Sequence, residues 1–275
     1  MKIDSHHHFW RYTAADYDWI DEPMRVIRRD FLPEHLRAEI ANAGIDGVIS
    51  VQARQSLEET RWLLSLAAEN DFIRAVVGWV PLLHTNVREH LKRFCAQKQF
   101  RAVRHVLQGE PDEQFMLRKD FNLGIAALRE FNLVYDILIF ERQLPQTIEF
   151  VDLHPQQTFV LDHLAKPRIK DNIIEPWRAN ILELARRPNV FCKVSGMVTE
   201  ADYARWTEAQ LRPYFDAVLE GFGPSRLMFG SDWPVCLVAC GYARWREIVA
   251  NWSAQFSPME RDQLLGGTAM RAYGL

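Results

Sequence analysis

Cysteine is scarce in this chain: there are four among 275 residues, with no Cys-x-x-Cys pair, which excludes a disulfide scaffold and the common zinc-ribbon spacing. Cys236 and Cys240 can share a helix face, but no third ligand stands near them, so they read as small buried hydrophobes. A scattered, unpaired set suits a reducing cytoplasm. No apolar run approaches the roughly 18 residues of a membrane span. The N-terminus also lacks the basic-then-apolar pattern of a secretory leader, because Asp4 and three histidines interrupt it at once. Neither charge sign dominates, the net charge being -3. Lys and Arg are dispersed, as at Arg25, Arg28 and Arg29, so no basic stripe for nucleic acid is expected. An early Gly-x-Gly-x-x-Gly is missing too, which argues against dinucleotide binding.

What is present is an alternation. Short apolar, β-branched runs cover residues 2–9, 47–53, 73–80, 100–107, 133–140, 158–163, 189–194 and 226–231. Amphipathic stretches with apolar residues every three or four positions lie between them, over 57–70, 87–97, 121–130, 145–153, 176–187 and 211–222. Strands joined through helices pair in parallel. Eight such units in a chain of this length predict one single-domain (β/α)8 barrel over residues 1–275. One connection breaks the rhythm: residues 10–33, rich in Trp, Tyr, Asp and Arg, follow the first strand directly and are expected to act as a lid over the catalytic face.

Barrel enzymes work at the C-terminal ends of their strands, and three apolar runs end there in polar residues. In the first, Asp4, His6 and His8 share one strand face while Ser5 and His7 share the other. The triplet is embedded in a strand-like Ile-Asp-Ser-His-His-His-Phe-Trp rather than in Gly/Ser linker, so it is not read as an expression tag. Two imidazoles at the mouth can bind a divalent metal or hold a water. In the last run, Asp232 can serve as general base, metal ligand or both, or only cap the following helix. His163 closes the sixth run.

These motifs, Asp-x-His-x-His at strand one, Leu161-Asp162-His163-x-x-Lys166-Pro167 at strand six and Phe229-Gly230-Ser231-Asp232-Trp233-Pro234 at strand eight, resemble the amidohydrolase superfamily. The similarity extends through Val51-Gln52-Ala53, Val77-Gly78-Trp79, Val103-Arg104-His105, Lys193-Val194-Ser195-Gly196 and Gly266-Gly267-Thr268-Ala269. It is strongest to the branch of sugar-lactone hydrolases. Carried over by position, the resemblance assigns His6, His8 and Asp232 to metal binding and His163 to the strand-six histidine. The strand-five run carries no histidine, and strand four offers Arg104 and His105 in place of a bridging Lys or Glu. A binuclear site is therefore not expected, and at most one zinc-like divalent ion is.

The resemblance implies that water, activated by Asp232, opens a fuconolactone-like aldonolactone to the sugar acid. Arg104, His105 or Lys193 is expected to stabilise the oxyanion, and His163 to protonate the departing alkoxide. Trp10, Tyr17, Trp19, Trp79 and Trp233 are candidates for stacking on the sugar, and Arg28 and Gln52 for binding its hydroxyls. Rival expectations are a lactonase for a pyrone dicarboxylate, a metal-dependent decarboxylase of the same branch, and an inactive barrel that binds sugar acids.

Overall fold

The eight apolar runs each form a strand in the computed structural model, which describes residues Met1–Leu275. They are β1 (Ile3–His7), β2 (Gly47–Val51), β3 (Ile73–Gly78), β4 (Phe100–Val106), β5 (Val134–Leu138), β6 (Phe159–Leu161), β7 (Val190–Val194) and β8 (Leu227–Phe229). Neighbours in sequence are parallel neighbours in one sheet. A parallel bridge from His7 to Trp233, with the Ser5 hydroxyl donating to the Phe229 carbonyl at 2.6 Å, brings β1 against the end of β8. Both faces of such a sheet are covered, which is why its strands read as continuous apolar runs.

The helices between strands are α1 (Pro33–Ala43), α2 (Leu57–Glu69), α3 (Val87–Phe94), α4 (Lys119–Glu130), α5 (Leu144–Asp152), α6 (Trp177–Leu184) and α7 (Glu208–Phe222), followed after β8 by α8 (Tyr242–Trp252), α9 (Pro258–Asp262) and α10 (Thr268–Tyr273). Local chemistry sets several starts: Ser56 caps α2 by accepting from the Glu59 amide at 3.0 Å, and Thr207 does the same for α7 from Gln210 at 3.2 Å. Such caps satisfy amides that have no partner within the helix.

Two cores result. The larger lies between sheet and helices. The smaller fills the lower barrel with Ile3, Ile49, Val51, Ala75, Val77, Ala102, Val134, Val160 and Met228, and is closed by Ala269, Ala272 and Tyr273 of α10. Above it the strands turn polar.

The alternation predicted for β1 is broken. A register shift between Asp4 and His7 leaves Ile3 inside the barrel and turns Asp4 toward α8, where it accepts from Tyr242 Oη at 3.0 Å and the Ser231 amide at 2.8 Å. Asp4 thus braces the β1–β8 seam instead of joining His6 and His8. Residues 10–33 are an ordered segment, pinned by an antiparallel bridge between Trp10 and Phe31, with Trp10, Tyr17, Ile20, Ile27 and Phe31 buried in the larger core.

Candidate active site

At the C-terminal end of the barrel His6, His8 and Asp232 gather in one cluster, with His163 beside them. His6 and His8 arrive from β1 with their Nε2 atoms 3.1 Å apart. His8 Nδ1 lies 2.8 Å from the Val51 carbonyl oxygen, which can only accept, so Nδ1 carries a proton and the neutral form of the ring turns its Nε2 lone pair to the site. Asp232, just past β8, places Oδ1 at 3.5 Å from His8 Nε2, 3.8 Å from His6 Nε2 and 3.9 Å from His163 Nε2. Its left-handed φ of 57° turns the chain sharply there. Imidazole nitrogens and a carboxylate oxygen gathered this closely are the donor set that fits a divalent cation.

Burial pushes His163 down to about 4 and His6 well below the ordinary histidine range, so both are neutral imidazoles suited to ligation. Burial alone would raise Asp232, but His163, His8 and Lys166 outweigh it and hold the carboxylate below its usual range. The Ser195 hydroxyl, 2.9 Å from His163 Nδ1, fixes that ring, as orienting partners of metal-ligating histidines do.

His163 is delivered by an unusual turn. His163, Leu164, Ala165 and Lys166 all have left-handed φ, between 50° and 60°, at a cost of roughly 1–2 kcal/mol per residue. Two hydrogen bonds hold the turn: the Lys166 amide donates to the His163 carbonyl at 2.7 Å, and Trp177 Nε1 donates to the Leu164 carbonyl at 2.7 Å. In a three-residue turn, side chains three apart stack over each other. The result is that both His163 and Lys166 line the pocket.

Beneath His6 lies a layer of buried charge. Lys193 Nζ sits 2.5 Å from Asp136 Oδ2, 2.9 Å from Asp162 Oδ1 and 3.2 Å from His6 Nδ1. Arg104 Nη1 donates to Asp162 Oδ2 at 2.9 Å, and its Nη2 donates to the Gln52 carbonyl and side-chain oxygens. Tyr273 Oη donates to Asp136 from below at 2.9 Å. Two cations face two carboxylates, so the layer cancels internally, as buried charge must. A lysine ammonium therefore stands at the level where β5 offers Asp136 instead of a histidine.

Above these residues opens a cavity of about 400 Å³, walled by His8, Trp19, Met24, Arg104, His163, Lys166, Glu200, Tyr203 and Asp232. Lys166 Nζ and Glu200 Oε1 are 3.7 Å apart.

The structure thus brings together His6, His8, His163, Asp232, Arg104 and Trp19. It does not bring in the others. Arg104 and His105 are adjacent on a strand, so only one can face the barrel. His105 points out behind β4, pairing with Glu110 at 2.6 Å and stacking on Phe115. Lys193 lies in the barrel but is wholly buried in its ion pairs, and Gln52 holds Arg104 instead of opening to the cavity. Trp10 donates to the Arg29 carbonyl inside the 10–33 segment, where it packs on Tyr17, and Trp233 packs edge-on against Phe31. Arg28 is tied to Glu22 and the Ile20 carbonyl, and Trp79 does not border the cavity. A loop of this length buries its own aromatics first. Asp136, Glu200 and Tyr203 lie outside the motifs of the sequence, and Asp162 and Lys166 enter only as part of the strand-six motif, although a charged residue inside an apolar strand run, as at Asp136, signals a buried partner.

The family model described as "Amidohydrolase" matches residues 3–275. A curated L-fucono-1,5-lactonase from Burkholderia multivorans is 44% identical, the alignment covering 100% of this chain and 96% of the relative. A second L-fucono-1,5-lactonase, from Burkholderia ambifaria, is 35% identical over 99% of this chain and 95% of its own length. Among solved structures, an amidohydrolase from Burkholderia multivorans crystallised with bound zinc superposes with a TM-score of 0.97 at 43% identity, covering 100% of this chain and 99% of that one. A full-length match, a superposable barrel and the strand-end histidines and aspartate agree, and the chain belongs to the amidohydrolase family.

Proposed function

We propose that this chain hydrolyses a sugar lactone to the open-chain sugar acid, with L-fucono-1,5-lactone the first substrate to test, and that it works in the cytoplasm, where its four cysteines remain thiols. The observation that carries the reading is the cluster of His6, His8 and Asp232, with His163 Nε2 3.9 Å from Asp232 Oδ1, in a chain 44% identical over its whole length to a curated L-fucono-1,5-lactonase.

His6, His8, Asp232 and His163 would hold a divalent ion, zinc in the first instance. When bound, it would polarise the lactone carbonyl and acidify a water beside it. Asp232 takes the proton of the attacking water. Its carboxylate suits that task because it stays ionised among the histidines. Arg104, locked in place by Asp162 and Gln52, offers guanidinium N–H to the oxygen that gathers charge as the carbonyl carbon becomes tetrahedral. Trp19 and Tyr203 flank the cavity and provide faces for the C–H surface of a sugar ring. Segment 10–33, which supplies Trp19 and Met24 to that wall, acts as the lid.

The charge balance supports a neutral lactone over a pyrone dicarboxylate. Arg104 is paired with Asp162 and Lys166 with Glu200, so no surplus of cations waits for two carboxylates. The test is a panel of aldonolactones in a pH-indicator assay, run before and after chelation with metal content measured. Turnover that falls on chelation and returns with zinc is expected. Full activity in metal-free protein would remove the ion from the reaction, and failure on the whole panel would leave a binding-only barrel.

A further inference from the structure

Resting on that lactonase reading, we infer that Lys166 is the proton donor to the leaving ring oxygen, and that Glu200 connects it to solvent. Lactone opening breaks the bond between the carbonyl carbon and the ring oxygen, and the electron pair goes to that oxygen. An alkoxide is a poor leaving group, so a donor must meet it on the cavity side of the tetrahedral centre.

Few candidates border the cavity. His163 Nδ1 is held by Ser195, and its Nε2, on the side of Asp232, would be given to the ion. Arg104, held by Asp162 and Gln52, can offer a hydrogen bond to the carbonyl oxygen, but a guanidinium does not give up a proton. His105 points away behind β4. Lys166 differs from all three: its Nζ is 3.7 Å from Glu200 Oε1, beyond a normal hydrogen bond, so its N–H groups remain free to turn to substrate.

The backbone supports this placement independently. Four consecutive non-glycine residues with left-handed φ end at Lys166, and strain of this kind collects where a side chain must be aimed. The turn runs on past His163 through Leu164 and Ala165. Extending it through Lys166 brings the ammonium to the same wall.

Glu200 gives the route by which the proton is replaced. It borders the active cavity and also a second cavity of about 570 Å³, open toward Asp21, Lys170 and Asp202. Lys166 gives one proton to the ring oxygen as the carbon–oxygen bond breaks and becomes a neutral amine. Solvent then returns a proton through Glu200. On the other side, Asp232 releases the proton that it took from water, so one water is consumed per lactone and no oxidant or reductant is needed.

The experiment compares two leaving groups. Steady-state kcat/KM is measured for wild type, Lys166→Met and Lys166→Arg on an aldono-1,5-lactone, which expels an alkoxide, and on dihydrocoumarin, which expels a phenoxide that departs without help. The expected result is that the aldonolactone-to-dihydrocoumarin ratio falls by about 100-fold in Lys166→Met and stays low in Lys166→Arg, whose guanidinium keeps the charge but does not give up a proton; recovery in Lys166→Arg would mean that Lys166 acts by charge alone and would overturn the assignment. Equal losses on both substrates would mean that Lys166 only shapes the pocket, and an unchanged aldonolactone rate would mean that Asp232 hands back its own proton. Either result overturns the assignment. Should wild type refuse dihydrocoumarin, rescue decides: methylammonium restores Lys166→Ala in proportion to its concentration if the donor role is right, and absence of rescue overturns it. Wild-type protein inert on every lactone is a separate outcome, which removes the underlying reading and this assignment with it.

Discussion

Gly196 stands so close to His163 that a Cβ added to it would fall 2.6 Å from both Cγ and Nδ1 of the ring. Its φ of +66° also belongs to the left-handed region that favours glycine. Gly196→Ala is therefore expected to tilt the imidazole and weaken zinc binding by about 10–100-fold, the usual effect of disturbing what supports a ligand. Competition with a chromogenic chelator measures this, and an unchanged affinity would show that His163 does not hold the ion.

Asp232→Asn keeps the shape of the side chain and removes its basicity. We expect kcat/KM on the best aldonolactone to fall by about 10²–10⁴-fold, with the circular dichroism spectrum unchanged. Turnover at the wild-type rate would sink the role given to this carboxylate.

The Lys193–Asp136 pair is wholly buried, so removing one partner strands the other. Asp136→Asn should cost about 3–5 kcal/mol, which lowers Tm by roughly 6–20 °C in a domain of this size. Lys193→Met combined with Asp136→Asn should recover part of that loss, because a buried pair replaced as a unit is tolerated far better than one broken in half. Thermal unfolding of the three variants decides, and additive losses in the double variant would show that the two residues are not coupled.

Burial raises Glu59 from an ordinary 4.5 to about 7. Its Oε2 accepts from the Ala53 and Arg54 amides, beside the cavity wall. Between these two values the folded protein holds a proton that the unfolded chain has lost. The stabilisation is thus complete below about pH 4.5 and is lost as pH rises through about 7, a span worth about 3 kcal/mol. Glu59→Gln, which cannot ionise, should flatten the fall in Tm between pH 5 and pH 8, and an unaltered slope would place that pH dependence elsewhere.

The barrel was legible because burial on both faces writes each parallel strand as an apolar run, and all eight runs became strands. His6, His8, His163 and Asp232 were legible for a related reason: each ends such a run, and barrel topology brings strand ends together. The errors came from contacts that a linear reading cannot see. Alternation makes Arg104 and His105 mutually exclusive at the mouth, and the motif that contains both does not say which one faces the barrel. As aromatics near strand ends Trp10 and Trp233 read as substrate platforms, but segment 10–33 needs them for its own packing. The pairing of Lys193 with Asp136 and Asp162 joins three strands far apart in sequence, and only the closed barrel shows that these charges cancel.

The closing of the barrel floor by α10 also bears on how the protein is made. Gly266 lies against the Met1 carbonyl so tightly that no Cβ could fit, and Tyr273 carries the hydroxyl that satisfies Asp136. The strand bearing His6 and His8 leaves the ribosome on the order of tens of seconds before α10 exists. Through that interval the lower barrel core is incomplete and Asp136 lacks its hydroxyl donor. The nascent barrel should therefore become protease-resistant and catalytically competent in one late step, when α10 docks.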